Sequence, residues 1–390
     1  MRHGLDRTRS GNIALNSFTG PAPSRVAHRA AFTLLEVMVT MTIIVILAAI
    51  AMPVFNRVRE NARDTICRNN LRQIGTGIQQ YATRMNYLSS GAWDWKRDGA
   101  VTEVGWVADL VRQGTPVGDL LCPASKIDVS KVYGELLTMD PTTNTCADSI
   151  GGKDQTLPDG TILVNPCRAI GVATSATAKA DLIRDHLLMK GYNTNYAAGW
   201  FLVRGDVVLD DLGALVNVKP GCSTSPRERS CTAGPLPLAR VTSSKAPGNM
   251  VPIMGCAGIA EQPLHLLTVN IGEHESGEFL ADTYTIGPRD KTTLKAPTIT
   301  GSGTGMKRWF GPWNDTLQDY RAWAPQHFGE TSCNLLFLDG SVQSFIDLNE
   351  DHLLNNGFPV SADTGFTSDV VELPEALVYS KWSLDPARVR

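Results

Sequence analysis

The chain has 390 residues, 43% of them hydrophobic and 19% charged, the composition of a folded globular protein rather than a disordered or multispan membrane chain. Its net charge of -3 offers no basic surface, so nucleic acid is not expected as a partner. The eight cysteines show no metal-ligand spacing and no C-x-x-C pair, a scatter that suits disulfides if the chain faces an oxidising space.

Residues 1–31 form a basic leader, with Arg2, Arg7, Arg9, Arg25 and Arg29 against the single acid Asp6. From Val37 to Phe55 there follow 19 residues without a formal charge. As a helix this run is roughly 28 Å long, close to the hydrocarbon thickness of a bilayer. The flanking arginines stay cytoplasmic and place everything after Phe55 outside. A buried core helix is the plainer alternative. A secretory signal peptide fits poorly, because the run exceeds the usual span of about 7–15 residues and lacks an A-x-A-like exit. Glu36 stands inside the apolar segment, where a carboxylate costs several kcal/mol unless a partner neutralises it.

The segment AFTLLEVMVTMTIIVILAAIAMP, residues 31–53, resembles the class III signal segment of type IV prepilins and type II secretion pseudopilins. That resemblance implies cleavage between Ala31 and Phe32 by prepilin peptidase, N-methylation of Phe32, and Glu36 as the charge used in filament assembly. Ala31 replaces the usual glycine before the cut, and the leader is long, which leaves a translation start after Met1 as one reading. Pro53 removes one helical hydrogen bond, and both this and the resemblance predict a kink there. Residues 56–85 read as an amphipathic continuation. Val58, Ala62, Ile66, Leu71, Ile74, Ile78 and Tyr81 form a stripe predicted to pack on a globular head, and Gly75 and Gly77 permit close packing or a bend.

A second resemblance begins with CRNNLRQIGTGIQQYA, residues 67–82, which is similar to the segment after the membrane helix in a large prepilin-like family ending in a His-x9-Asp-Gly motif. LLCPAS (120–125), GYNTNYAAGW (191–200) and VPIMG (251–255) resemble further elements of that family, in order. In HFGETSCNLLFLDGSVQSF (327–345), eleven residues separate His327 from Asp339 rather than nine, while Asn334, Phe337, Asp339, Gly340 and Val342 stay in phase with the family. Physically, Asp339-Gly340 between two short apolar runs predicts a hairpin over 335–345 with positive φ at both turn residues. The functional alternative has His327 and Asp339 binding a metal or a partner.

Between these motifs, Gly105–Gln113 and Ala180–Lys190 read as short helices; Val203–Val216, Asn249–Gly255 and Leu266–Ile271 read as strands. Gly221–Asn249 and Lys291–Gly305 are turn-rich or polar joins. The expected fold class is α+β: a long N-terminal helix packed on an antiparallel sheet, with the head spanning 86–390. Cys222 and Cys231 enclose a short loop and are the expected disulfide, while Cys67 on the helix is the expected free thiol. Glu273, His274, Glu275 and Glu278 could attract a divalent ion, but crowded charges of this kind are usually only solvated. Asp347, Asn349 and Asp351 have the alternate spacing of a calcium loop, yet His352 and Phe358 stand where an EF-hand needs glycine and glutamate. Asn349 as N-cap of a short helix is the competing account, and calcium is the one cofactor weighed for this region. The eight tryptophans suit a core better than a glycan-stacking surface.

No nucleophile elbow, phosphate loop or zinc-protease helix occurs, so an enzyme is not expected. The expected function is a structural, pilin-like subunit of the cytoplasmic membrane, single-pass, with its head in the periplasm or at the cell surface. Its partners are prepilin peptidase, other pilin-like subunits and an assembly platform, and its destination a type II secretion or type IV pilus-like filament. The alternative is a monomeric, membrane-tethered extracytoplasmic binding protein.

Overall fold

The computed structural model describes residues 33–143, 146–298, 311–324, 327, 331–361 and 363–388. Contacts divide the chain into two units, through Val54 and from Phe55 onward. In the first unit the helix α1 (Leu34–Met85) begins, and no residue from Thr33 to Ile50 is buried. Its apolar span is long enough to cross a membrane. Pro53 lies inside the helix, where its missing N–H leaves the carbonyl of Ala49 without the usual partner.

In the second unit, the remainder of α1 lies on a four-stranded antiparallel sheet. The strands in chain order are β1 (Val129–Ser130), β2 (Gln155–Thr156), β3 (Ile162–Leu163), β4 (Tyr196–Ala198), β5 (Pro252–Cys256), β6 (Leu280–Ala281), β7 (Gly287–Asp290), β8 (Thr316–Asp319), β9 (Ser332–Phe337) and β10 (Val342–Ile346). The main sheet has the order β10-β9-β5-β4, and its inner strands β5 and β9 are buried throughout. Pro252 opens β5, and the register shifts between Pro252 and Met254 where the proline cannot donate. The pairs β2–β3 and β7–β8 are antiparallel, while β1–β6 is parallel.

The buried face of α1 is Cys67, Asn70, Leu71, Ile74, Gly75, Gly77, Ile78 and Ala82. Val58 and Ile66, expected on the packed stripe, are instead exposed, so helix packing begins about two and a half turns after Val58, at Cys67. Leu71, Ile74 and Ile78 each contribute roughly 1.5–3 kcal/mol by leaving water. Two glycines set how near the helix comes. A Cβ on Gly75 would lie 3.1 Å from the Leu336 methyls of β9, and one on Gly77 would lie 2.6 Å from Leu110 Cδ2. Leu110 belongs to α2 (Trp106–Arg112), the helix expected over 105–113.

The β9–β10 hairpin is present, with Val342 opposite Leu336 and Ile346 opposite Ser332. Its turn differs from expectation. Gly340 N donates to Phe337 O and Gly340 alone takes positive φ, +87°, so the loop has three residues ending in a left-handed glycine rather than two in the mirror-image turn. Asp339 accepts from Ser341 N and Oγ, which fixes the tip.

Elsewhere the strand expected over 203–216 is replaced by α6 (Trp200–Arg204) and isolated bridges at Val207 and Leu209; α3 (Lys131–Leu137), α4 (Pro166–Val172) and α5 (Ala176–His186) precede it. Leu266 and Ile271 likewise make only isolated bridges. Every described tryptophan is buried. The core also holds a charge network. Arg204 makes two hydrogen bonds to Asp98 at 2.6 and 2.9 Å with both side chains buried, and Lys131 lies 2.5 Å from Asp282. The Tyr284 ring faces Lys131, Arg204 and Arg227 at 5.0, 5.0 and 5.1 Å, so these cations share an aromatic partner besides their carboxylates.

Candidate functional site

The N-terminal site starts at Thr33, the first described residue; Ala31 and Phe32 lie outside the described residues. Thr33 N and Oγ1 both donate to Glu36 Oε2, at 2.9 and 3.0 Å, and Glu36 N donates back to Thr33 Oγ1 at 3.2 Å. This is a reciprocal capping box: Thr33 precedes α1 and Glu36 is its third residue. The carboxylate that looked unpartnered in the sequence therefore has a local partner that closes the helix N-terminus.

A second site lies between the head-packed part of α1 and the sheet. Cys67, Cys122, Cys256 and His327 converge, with one ligand atom from each all within 4.8 Å of one another, and all four buried. Cys67 Sγ is 3.4 Å from Cys256 Sγ. His327 Nε2 lies 3.2 Å from Cys256 Sγ, 3.4 Å from Cys122 Sγ and 3.9 Å from Cys67 Sγ.

Each member is held by its own element. Cys67 comes from the first buried turn of α1 and Cys256 from the end of β5. Cys122 follows the short helical turn Val117–Leu120 and is clamped by Asn195, whose Oδ1 accepts from Cys122 N and whose Nδ2 donates to Cys122 O. Asn195 belongs to the stretch 191–200 singled out in the sequence. His327 makes an isolated bridge to Ser125. Its Nδ1 is 3.2 Å from Ser332 Oγ and 3.6 Å from Asp64 Oδ1, and Asp64 in turn accepts from Asn334 Nδ2 at 2.6 Å. A proton on Nδ1 donated to Ser332 leaves the Nε2 lone pair aimed at the three sulfurs.

Burial pushes the Cys122 and Cys256 thiols well up. Burial acts the same way on Cys67, but hydrogen bonds with Cys122, Cys256 and His327 override it and hold that thiol well below its ordinary value. Two sulfurs 3.4 Å apart are not a disulfide, whose S–S bond is about 2.05 Å.

Other expected sites fare differently. Asp339 is not brought to His327: the histidine touches Ser332 at one end of β9, and Asp339 lies beyond the other end, roughly 20 Å along the strand. Cys222 is bonded to Cys146, not Cys231, which is a buried free thiol. The tertiary fold carries the loop at 146 to Cys222, whereas the short helical turn Arg229–Cys231 points Cys231 Sγ to Ser223 O. No helix forms after Asn349. Asp347 instead accepts from the amides of Asn349, Glu350 and His352, and Glu350 and His352 take positive φ. His274 pairs with Glu278 at 3.1 Å at the rim of a cleft of about 1040 Å³ that Asp119, Lys126 and Arg184 also line.

Two family models match the chain. The prokaryotic N-terminal methylation motif matches residues 27–52, and the family described as a protein of unknown function (DUF1559) matches residues 56–115. Comparison with curated proteins and with solved structures finds no match. The chain is a prepilin-like protein, anchored by its apolar N-terminal helix and of the class that prepilin peptidase processes. After the anchor, the chain forms an α+β head that opens within the DUF1559 match and contains Cys67.

Proposed function

We propose that this chain is a pilin-like structural subunit. Prepilin peptidase cuts it between Ala31 and Phe32, Phe32 is N-methylated, and the product is drawn from the cytoplasmic membrane into a type II secretion or type IV pilus-like filament. The observation that carries this reading is the coincidence of the methylation motif at 27–52 with an apolar helix whose first turns are exposed on all sides. A surface of that kind needs lipid or neighbouring copies to cover it. In the filament the Phe32 amine of an incoming subunit pairs with Glu36, and the head, outside the membrane, supplies lateral contacts. Mass spectrometry of the mature N-terminus is the test. The expected product begins with methylated Phe32; an intact leader, or a cut near 50–56, overturns the assignment.

A membrane-tethered binding protein is the second reading, favoured by the charged cleft around His274. A stable head that binds a ligand, in cells without any sheared filament fraction, would select it.

A further inference from the structure

We propose that Cys67, Cys122, Cys256 and His327 form a closed, structural zinc site that ties α1 to the head. Three thiolates and one imidazole are a donor set for tetrahedral zinc, with Zn–S near 2.3 Å and Zn–N near 2.0–2.1 Å. Tetrahedral geometry at those bond lengths puts sulfurs about 3.8 Å apart and sulfur and nitrogen about 3.5 Å apart. The observed separations of 3.4 Å between Cys67 and Cys256, and 3.2, 3.4 and 3.9 Å from the three sulfurs to His327 Nε2, lie within a few tenths of an ångström of these.

The surroundings suit a metal as well. The Ser332 hydroxyl and the Asp64 carboxylate on the Nδ1 side orient the imidazole as the outer partners of metal-bound histidines do. Tyr196 Oη lies 3.6 Å from Cys67 Sγ, a donor toward a charged sulfur. A cleft of about 180 Å³ lined by Asp64, Arg68, His327 and Ser332 reaches the Nδ1 side of the imidazole. All four tetrahedral positions are filled by protein, so no water or substrate position is left and the site is structural rather than catalytic. On binding, each thiol gives up its proton to solvent and no electron is transferred. The same chain carries a disulfide elsewhere, and a bare thiol pair at 3.4 Å would be prone to the same oxidation. Coordination protects it.

The test uses the full chain, solubilised in detergent and purified without chelator. Elemental analysis is expected to find zinc equimolar with protein. Cys122→Ser and His327→Gln should lose it, while Cys231→Ser, outside the cluster, keeps it. A ligand variant that fails to fold would also lose zinc, so the parent supplies the second measurement. Cobalt exchanged into it should show thiolate-to-metal charge transfer and the intense d–d bands of a tetrahedral site. Ser332→Ala should leave those bands in place and weaken zinc binding about tenfold. A parent with neither zinc nor a cobalt spectrum, a Cys67–Cys256 disulfide in its peptide map, copper or iron in place of zinc, or zinc retained by both ligand variants each overturns the proposal.

Discussion

Thr33 and Glu36 satisfy each other across the first turn of α1, the Glu36 amide donating to the Thr33 hydroxyl and the Thr33 amide to the Glu36 carboxylate. Glu36 closes its own helix, and under the proposed function it also offers a carboxylate to a neighbour's Phe32 amine. The two roles are separable by mutation. Glu36→Leu removes both, whereas Thr33→Val removes the cap, at a cost of about 1 kcal/mol, and leaves the carboxylate. We expect Glu36→Leu to be cleaved and inserted normally but largely absent from the sheared filament fraction, and Thr33→Val to assemble nearly as the parent does. Loss of assembly in both variants alike would assign Glu36 to the cap alone.

The Cys146–Cys222 bond closes a loop across a sequence separation of 76 residues. On the loop-entropy account such a crosslink is worth about 4.5 kcal/mol. Non-reducing peptide mapping should recover these two cysteines linked and Cys231 as a thiol that alkylates only after denaturation. Cys146→Ser should lower the unfolding midpoint of the head markedly, while Cys231→Ser shifts it little. A Cys222–Cys231 peptide would contradict the fold in this region.

Gly77 sets the spacing between α1 and α2. Alanine there gains about 1 kcal/mol of helix propensity but forces the buried Leu110 methyl aside, and overpacking of this kind costs about 1–3 kcal/mol. Gly77→Ala should therefore destabilise the head by about 1 kcal/mol, and Gly77→Val by more. Combined with Leu110→Ala, the two losses should sum to more than the double variant shows, because the cavity of one accepts the methyl of the other. Denaturant titration of the four proteins measures it.

Glu135 is buried, accepts from Trp95 N, and is pushed up to about 7 by burial and by the nearby Asp94 carboxylate. Its folded pKa thus exceeds the unfolded value of 4.5. The folded state holds the proton more tightly, so the stabilisation is complete below pH 4.5 and is lost as pH rises through about 7. Asp94 is shifted the other way, held down by Arg97 and Lys131 against its burial, and acts only at lower pH. Glu135→Gln, which can still accept from Trp95, should flatten the fall in stability between pH 5 and 8 and leave the head more stable at pH 8. An unchanged pH profile would show that Glu135 does not change its protonation between pH 5 and 8.

The anchor, the hairpin at 335–345, the helix over 105–113 and the strand near 249–255 were all legible in the residues, since each is a local pattern. An uncharged run, an Asp-Gly between apolar runs and apolar periodicity depend only on near neighbours in the chain. Even so, local patterns had limits: the stripe through Val58 and Ile66 was apolar yet is not packed on the head, because apolarity does not name the surface that covers it. The cysteines show the boundary most plainly. Cys222 and Cys231 are close in sequence, yet Cys222 meets Cys146. The ligand cluster joins positions 189, 205 and 260 residues apart, from a helix, a turn, a strand end and a loop, so no spacing rule could have announced it. The segment motifs around Cys67, Cys122, Asn195 and Cys256 marked the pieces of that site. That they meet was decided by α1 lying close on β5 and β9, where glycine at 75 lets the helix approach and burial holds the four donor side chains together.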